Sequence, residues 1–332
     1  MSLHIDQVYL FGDSLSDTGN VLNFTEDLPG FFPFPSEPLY ASGVFSNGDI
    51  WVDNLSERFD LEIDPFIDGF NPNTGEIIFN LSDINDGINF AIGGADSGDS
   101  NIGVVPFGLE QQIDTFELFA QTQGVEETFS DDIFSLWIGA NDYFNFIQDD
   151  PSTPDVIETN FPEKEKDRKN AVIEVVNINI GGAIKDIIDA GGKNIVVFNL
   201  PDLDNTPLGQ KLDKKDRKAL DKLTKKHNKR LENLVQQEEK SHPNVNIVHI
   251  DVDELFDDVV KSPEKYGFTN VVDGFTQTDL YVAGGIFDPT PTNPGDDPST
   301  YLYWDSVHPT TAGHSLIADL VAEELSAEGF SI

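Results

Sequence analysis

Cysteine is absent from the chain. Disulfides, thiolate zinc sites and cysteine nucleophiles are therefore excluded, although the compartment is left open. Positive charge is scarce, with 20 Lys and Arg against 60 Asp and Glu and a net charge of −40. Before Lys164 the only basic residue is Arg58. Such a chain repels phosphates, so nucleic acid and anionic membranes are not expected partners. No apolar run reaches the length of a transmembrane helix. The opening residues Met-Ser-Leu-His-Ile-Asp have neither a basic n-region nor an apolar h-region. A signal peptide is thus either missing or already removed. An acidic, solubilising surface suits a salt-adapted or secreted protein, and a secreted or cell-surface location is the expectation.

What is present is a globular composition, 38% hydrophobic with 25 Phe, in a chain long enough to bury a large core. Five apolar runs read as buried strands: residues 8–11, 87–92, 133–138, 195–200 and 245–250. Helical patterns lie between most of them. Residues 47–59 open on an Asn cap, and 107–120 follow the second run. Residues 167–190 end at Gly191-Gly192, and 311–325 close the chain. A further amphipathic pattern spans 211–240 and carries eleven of the twenty basic residues, with His227 among lysines on its solvated side. Alternating β and α predicts a mainly parallel sheet of about five strands with helices on both faces. No repeat or linker divides the chain, so a single domain over residues 1–332 is expected, and a monomer.

Two loops stand out. Residues 28–45 are dense in Phe, Pro and Tyr, including Phe31, Phe32, Phe34 and Phe45. Pro excludes regular structure there. The loop either covers core or lines an apolar pocket. Residues 288–297 carry oxygen donors of calcium-ligand type but lack EF-hand spacing.

Chemistry centres on residues 7–20. The apolar run Val8 to Phe11 stops at Gly12-Asp13-Ser14, which delivers one serine to the end of a strand beside a helix start. In open α/β sheets ligands bind there. Ser14 is thus either a helix cap or a nucleophile. A nucleophilic serine needs a base, and six histidines are available. His308 stands out because Asp305 precedes it by three residues in a loop before a helix. In a turn that spacing sets a carboxylate against one imidazole nitrogen and frees the other. Ester chemistry also needs donors for an oxyanion. The strand ends Asn89-Phe90-Ala91-Ile92-Gly93-Gly94-Ala95 and Trp137-Ile138-Gly139-Ala140-Asn141-Asp142 offer backbone N–H groups and an amide. Two competing readings remain. One is a metal-dependent phosphohydrolase with Asp13, Asp142, Asp305 and His308 as ligands. The other is a non-catalytic acidic binding module.

Taken in order, Gly12-Asp13-Ser14-Leu15, the 89–95 stretch, Gly139-Ala140-Asn141-Asp142 and Asp305-Ser306-Val307-His308-Pro309 resemble the four signature blocks of the GDSL, or SGNH-hydrolase, lipases and esterases. Phe45-Ser46-Asn47-Gly48 and Asn199-Leu200-Pro201-Asp202 are similar to further segments of the plant-type and bacterial outer-membrane esterase branch. Val44 stands where that branch leads one to expect Arg. The resemblance implies a three-layer α/β/α, flavodoxin-like sandwich and hydrolysis of small-molecule or lipid esters without a cofactor or metal. It implies Ser14 as nucleophile, His308 as base and Asp305 as its orienter. The implied oxyanion donors are the N–H groups of Ser14 and Gly94, in preference to Gly93, and the Asn141 side chain. The Gly-x-Ser-x-Gly elbow of α/β-hydrolases is absent around Ser14.

Overall fold

The computed structural model describes residues 5–80, 84–101, 103, 105–123, 129–148, 165–281 and 285–330. Its centre is a sheet of six strands: β1 (Val8–Gly12), β2 (Ile63–Pro65), β5 (Gly87–Asn89), β6 (Ile133–Trp137), β7 (Asn194–Phe198) and β8 (Asn246–Ile250). They lie in the order β2-β5-β1-β6-β7-β8, and every pairing is parallel. The five apolar runs are five of these strands. The sixth, β2, is a three-residue edge strand ending in Pro65, too short and too half-buried for a hydrophobic run to betray. Two small ribbons lie outside this sheet: β3 (Ile67–Asn71) with β4 (Glu76–Phe79), and β9 (Asn270–Gly274) with β10 (Tyr301–Tyr303).

Side chains alternate across β1 and so show both helical layers. Val8 and Leu10 face Trp51 and Leu55 of α2 (Trp51–Phe59) and Val321 and Leu325 of α9 (Thr311–Ala327). Tyr9 and Phe11 point the other way, onto Phe116 of α3 (Leu109–Gln123), in an aromatic cluster with Phe90, Phe129 and Phe134. On that second face α3 packs against α5 (Glu165–Asp189), and α5 against α7 (Lys214–Ser241). The three-layer sandwich follows from a sheet whose residues are apolar on both sides.

Two local expectations fail. The α2 helix starts at Trp51 and not near Asn47: Asp53 reaches back to the Ile50 N–H, whereas the Asn47 amide accepts from the Thr311 N–H at 2.9 Å. His227, read as solvated, is fully buried. It lies on the apolar face of α7 with Leu220, Leu223 and Leu231, and the lysines around it lie on the others. Burial lowers its pKa to about 3, and Tyr143 is its partner at 2.9 Å.

Candidate active site

The strands β1, β5 and β6 end side by side, and the site is built on the loops that leave them. Gly12 closes β1 because nothing larger fits: a Cβ there would stand 2.5 Å from the Trp137 carbonyl oxygen. The Gln112 amide bonds both backbone groups of Gly12, accepting its N–H at 2.9 Å and donating to its C=O at 2.8 Å. After this pinned strand end comes Ser14, with Asp13 accepting the Leu15 N–H at 3.0 Å.

Ser14, His308 and Asp305 come together from 294 residues apart. His308 Nε2 lies 2.8 Å from Ser14 Oγ, and His308 Nδ1 lies 2.7 Å from Asp305 Oδ2. The other Asp305 oxygen accepts the N–H groups of Val307 and His308 at 2.8 and 2.7 Å. Burial alone would raise the Asp305 carboxyl. The His308 imidazole and N–H and the Tyr40 hydroxyl outweigh burial and hold the carboxyl below the ordinary carboxylate range. The His308 ring lies between Tyr40 and Phe45, with centroids at 6.2 and 5.4 Å. Tyr40 and Phe45 belong to the 28–45 loop, which is stitched to the histidine loop by Trp304 Nε1 on the Leu39 carbonyl at 2.8 Å and Ser46 Oγ on the Pro309 carbonyl at 2.9 Å.

The two glycines after β5 divide their work. The Gly93 N–H donates to Asp17 Oδ2 at 2.8 Å and is spent. Gly94 adopts φ +86°, the left-handed region open to glycine, and its N–H has no partner among the described residues; nor has the N–H of Ser14. Asp17 holds this corner. It is fully buried, and its carboxylate also accepts the N–H groups of Gly19, Asn20 and Val21 at the start of α1 (Asn20–Glu26). Burial pushes its pKa up to about 6 against those four donors. Asn141, in the first turn of α4 (Ala140–Gln148), is buried and lines one cavity with Ser14 and His308. Its Nδ2 donates to the Ala95 carbonyl at 2.8 Å, which leaves its second amide hydrogen free.

The Phe-rich loop forms the wall of a cavity of about 970 Å³ that reaches Ser14, Gly94 and His308. Phe31, Phe32, Phe34 and Phe45 all line it. Phe45 is buried and Phe34 half-buried, while Phe31 and Phe32 stand largely in solvent at the rim, Phe32 at 89% exposure. Across the cavity Phe287 meets Phe34 edge-on at 6.0 Å. Val44 is buried beside this wall, an apolar fit for a position where the resemblance suggests Arg.

Two of the three carboxylates of the metal reading, Asp142 and Asp305, already have close hydrogen-bond donors. Asp142 takes both the N–H and the hydroxyl of Ser97, at 3.0 and 2.7 Å, and both Asp305 oxygens are used as described. Among the described residues the acidic trio with converging oxygens is Asp202, Asp204 and Asp221, and Lys225 and Arg217 already pair with it. The carboxylates of the acidic 288–297 loop serve local turns: Asp288 accepts the Thr290 N–H, Asp297 the Ser299 N–H and hydroxyl, and Asp296 the Tyr301 hydroxyl. Among the described residues no helix is long and apolar enough to cross a membrane.

Comparison with known proteins places the chain in a family. The profile of the GDSL-like lipase/acylhydrolase family matches residues 8–321. The chain belongs to that family and is an ester hydrolase. The thermolabile hemolysin of Vibrio parahaemolyticus is 24% identical over 330 residues, 96% of this chain, and the chain spans 63% of the hemolysin's own length. A GDSL esterase/lipase of Arabidopsis thaliana is 27% identical over 344 residues, 93% of this chain and 82% of that one. The acetyl xylan esterase AlAXEase, a solved structure, shows a TM-score of 0.43 at 11% identity, over 96% of this chain and 98% of that one.

Proposed function

We propose that the chain cleaves uncharged carboxylic esters with an apolar acyl chain through an acyl-enzyme on Ser14. The observation that carries this reading is the Ser14–His308–Asp305 relay, at 2.8 and 2.7 Å, opening beside the unpartnered N–H groups of Ser14 and Gly94. His308 takes the Ser14 proton as Oγ attacks the ester carbonyl, and Asp305 steadies the imidazolium. The Ser14 and Gly94 N–H groups and the free Asn141 amide hydrogen receive the oxyanion. On collapse the alkoxide leaves with the proton from His308, and a water, deprotonated by His308 in turn, releases the acid. Neither step calls for a cofactor or a metal.

The substrate class follows from the large, Phe-lined cavity and the −40 charge, which favours neutral over anionic esters. A fluorophosphonate should label Ser14, mapped by mass spectrometry, and Ser14→Ala should lose the label and at least ~10³-fold in kcat on a p-nitrophenyl ester. A label elsewhere, or a mutant that keeps its activity, would refute the assignment. The reading extends to one functional domain, a monomer, working as a secreted or cell-surface enzyme. Size-exclusion chromatography and cell fractionation test the last two.

A further inference from the structure

Asn141 has a polar neighbour that the proposed mechanism does not use. The phenol of Tyr281 donates to Asn141 Oδ1. The Ala95 carbonyl, which can only accept, holds one Nδ2–H at 2.8 Å. With Oδ1 satisfied by the phenol and one hydrogen by Ala95, the amide plane is set from two sides. The second Nδ2–H is the one left for the cavity that Asn141 and Tyr281 line together with Ser14 and His308.

Tyr281 is itself held. Its ring packs on Phe144, one turn along α4 from Asn141, with centroids 5.0 Å apart. Its backbone N–H donates to Asp279 Oδ1 at 3.1 Å, and the same oxygen accepts the hydroxyl of Ser306 at 3.0 Å. Asp279 is buried, and Ser306 is the neighbour of Asp305. One carboxylate therefore ties the segment that orients the amide to the loop that carries the base. Burial, reinforced by the carboxylates of Asp13, Asp305, Asp96 and Asp279, raises the Tyr281 phenol well above its ordinary value, so it keeps its donor proton at working pH.

We propose that Tyr281 is a positioning residue for the oxyanion donor Asn141: it fixes the amide by occupying Oδ1 and polarises it, so that Nδ2–H is a stronger donor where charge develops. The proposal rests on reading Asn141 as an oxyanion donor, and the test separates the two. The enzyme, Tyr281→Phe, Asn141→Ala and the double variant are compared for kcat and KM on a soluble p-nitrophenyl ester, and for binding of a trifluoromethyl ketone, whose serine adduct carries an oxyanion. Tyr281→Phe keeps the ring on Phe144. It should lower kcat on the order of 10-fold, the scale of one lost hydrogen bond, with KM within about twofold, and weaken the ketone by a similar factor. Asn141→Ala should cost roughly 10²–10³ in kcat, and adding Tyr281→Phe to it should cost nothing more. The same Tyr281→Phe loss in both backgrounds, or no loss in either, overturns the proposal while leaving the oxyanion reading intact. An unchanged kcat in Asn141→Ala overturns both.

Discussion

The Tyr40 hydroxyl donates to Asp305 Oδ2 at 2.5 Å, the same oxygen that faces His308 Nδ1. Tyr40 is buried, 265 residues away in the chain, and its ring packs against Phe34, Phe45 and the imidazole. The aromatic loop and the histidine loop are thus one structure, and the loop that walls the cavity also completes the solvation of a buried carboxylate.

Removing that hydroxyl should be felt twice. Tyr40→Phe keeps the ring but leaves Asp305 Oδ2 with His308 alone. A hydrogen bond to a charged group contributes about 1.5–3 kcal/mol. The variant should therefore unfold at lower denaturant and lose several-fold in kcat with KM little changed. Denaturant midpoints together with initial rates check this. A variant matching the parent in both would show that the carboxylate does not depend on Tyr40.

Gly93 tests the packing behind the site. A Cβ there would lie 2.4 Å from two carbons of the Phe45 ring, which itself stacks beside His308. Gly93→Ala must displace that ring, at the ~1–3 kcal/mol typical of overpacking. Activity should fall with stability, and Gly93→Ala/Phe45→Leu should regain part of both. A single variant melting with the parent would sink the argument.

The cavity predicts chain-length dependence. Each methylene buried contributes about 0.8 kcal/mol, or roughly fourfold in kcat/KM. From acetyl to octanoyl esters, kcat/KM should climb towards that slope. Phe34→Trp, placed in the wall, should move the optimum to shorter acyl groups. A flat profile in the parent, or one that Phe34→Trp leaves unmoved, would assign the cavity some other use.

Much of this was legible from local pattern. The strand runs around Val8, Ile133 and Ile195 are apolar on both faces, so the parallel sheet followed from them. The stops at Gly12, Gly94 and Gly139 and the Asp305–His308 spacing singled out residues that the fold then gathers at one edge. What stayed hidden is whatever acts at long range. Tyr40, Tyr281, Gln112 and Asp17 reach the site across 265, 140, 100 and 76 residues. A buried hydrogen bond between side chains that far apart leaves no period or spacing. His227 misled for a related reason: its lysine neighbours advertise solvent, whereas the helix turns it to the core.

Buried carboxyls behind the site predict how stability depends on pH. Asp13 is pushed up to about 7, mainly by burial, with the Leu15 N–H opposing. Asp96 and Asp142, both buried and repelling one another, are also raised, and Asp132 is pushed by burial to about 7. An acid whose folded pKa lies above its ordinary 3.8 holds its proton longer folded than unfolded. Stability is then lost as pH rises through the folded value. The buried His227, His314 and His249 act oppositely: burial lowers all three, the first two to about 3, so stability rises with pH through their ordinary 6.5, and the tail of that rise extends about a unit above it. Between pH 6.5 and about 8 the buried acids should outweigh that tail, so stability should fall. Asp13 by itself should withdraw about 1 kcal/mol over that window, and the melting temperature should fall by a few degrees. Asp13→Asn, which keeps an oxygen for the Leu15 N–H, should shrink the fall, with Asp96 and Asp132 sustaining the remainder. Melting curves at the two pH values, with parent and variant side by side, measure it. An Asp13→Asn variant whose melting temperature falls as far as the parent's would mean that Asp13 is ionised in the folded protein.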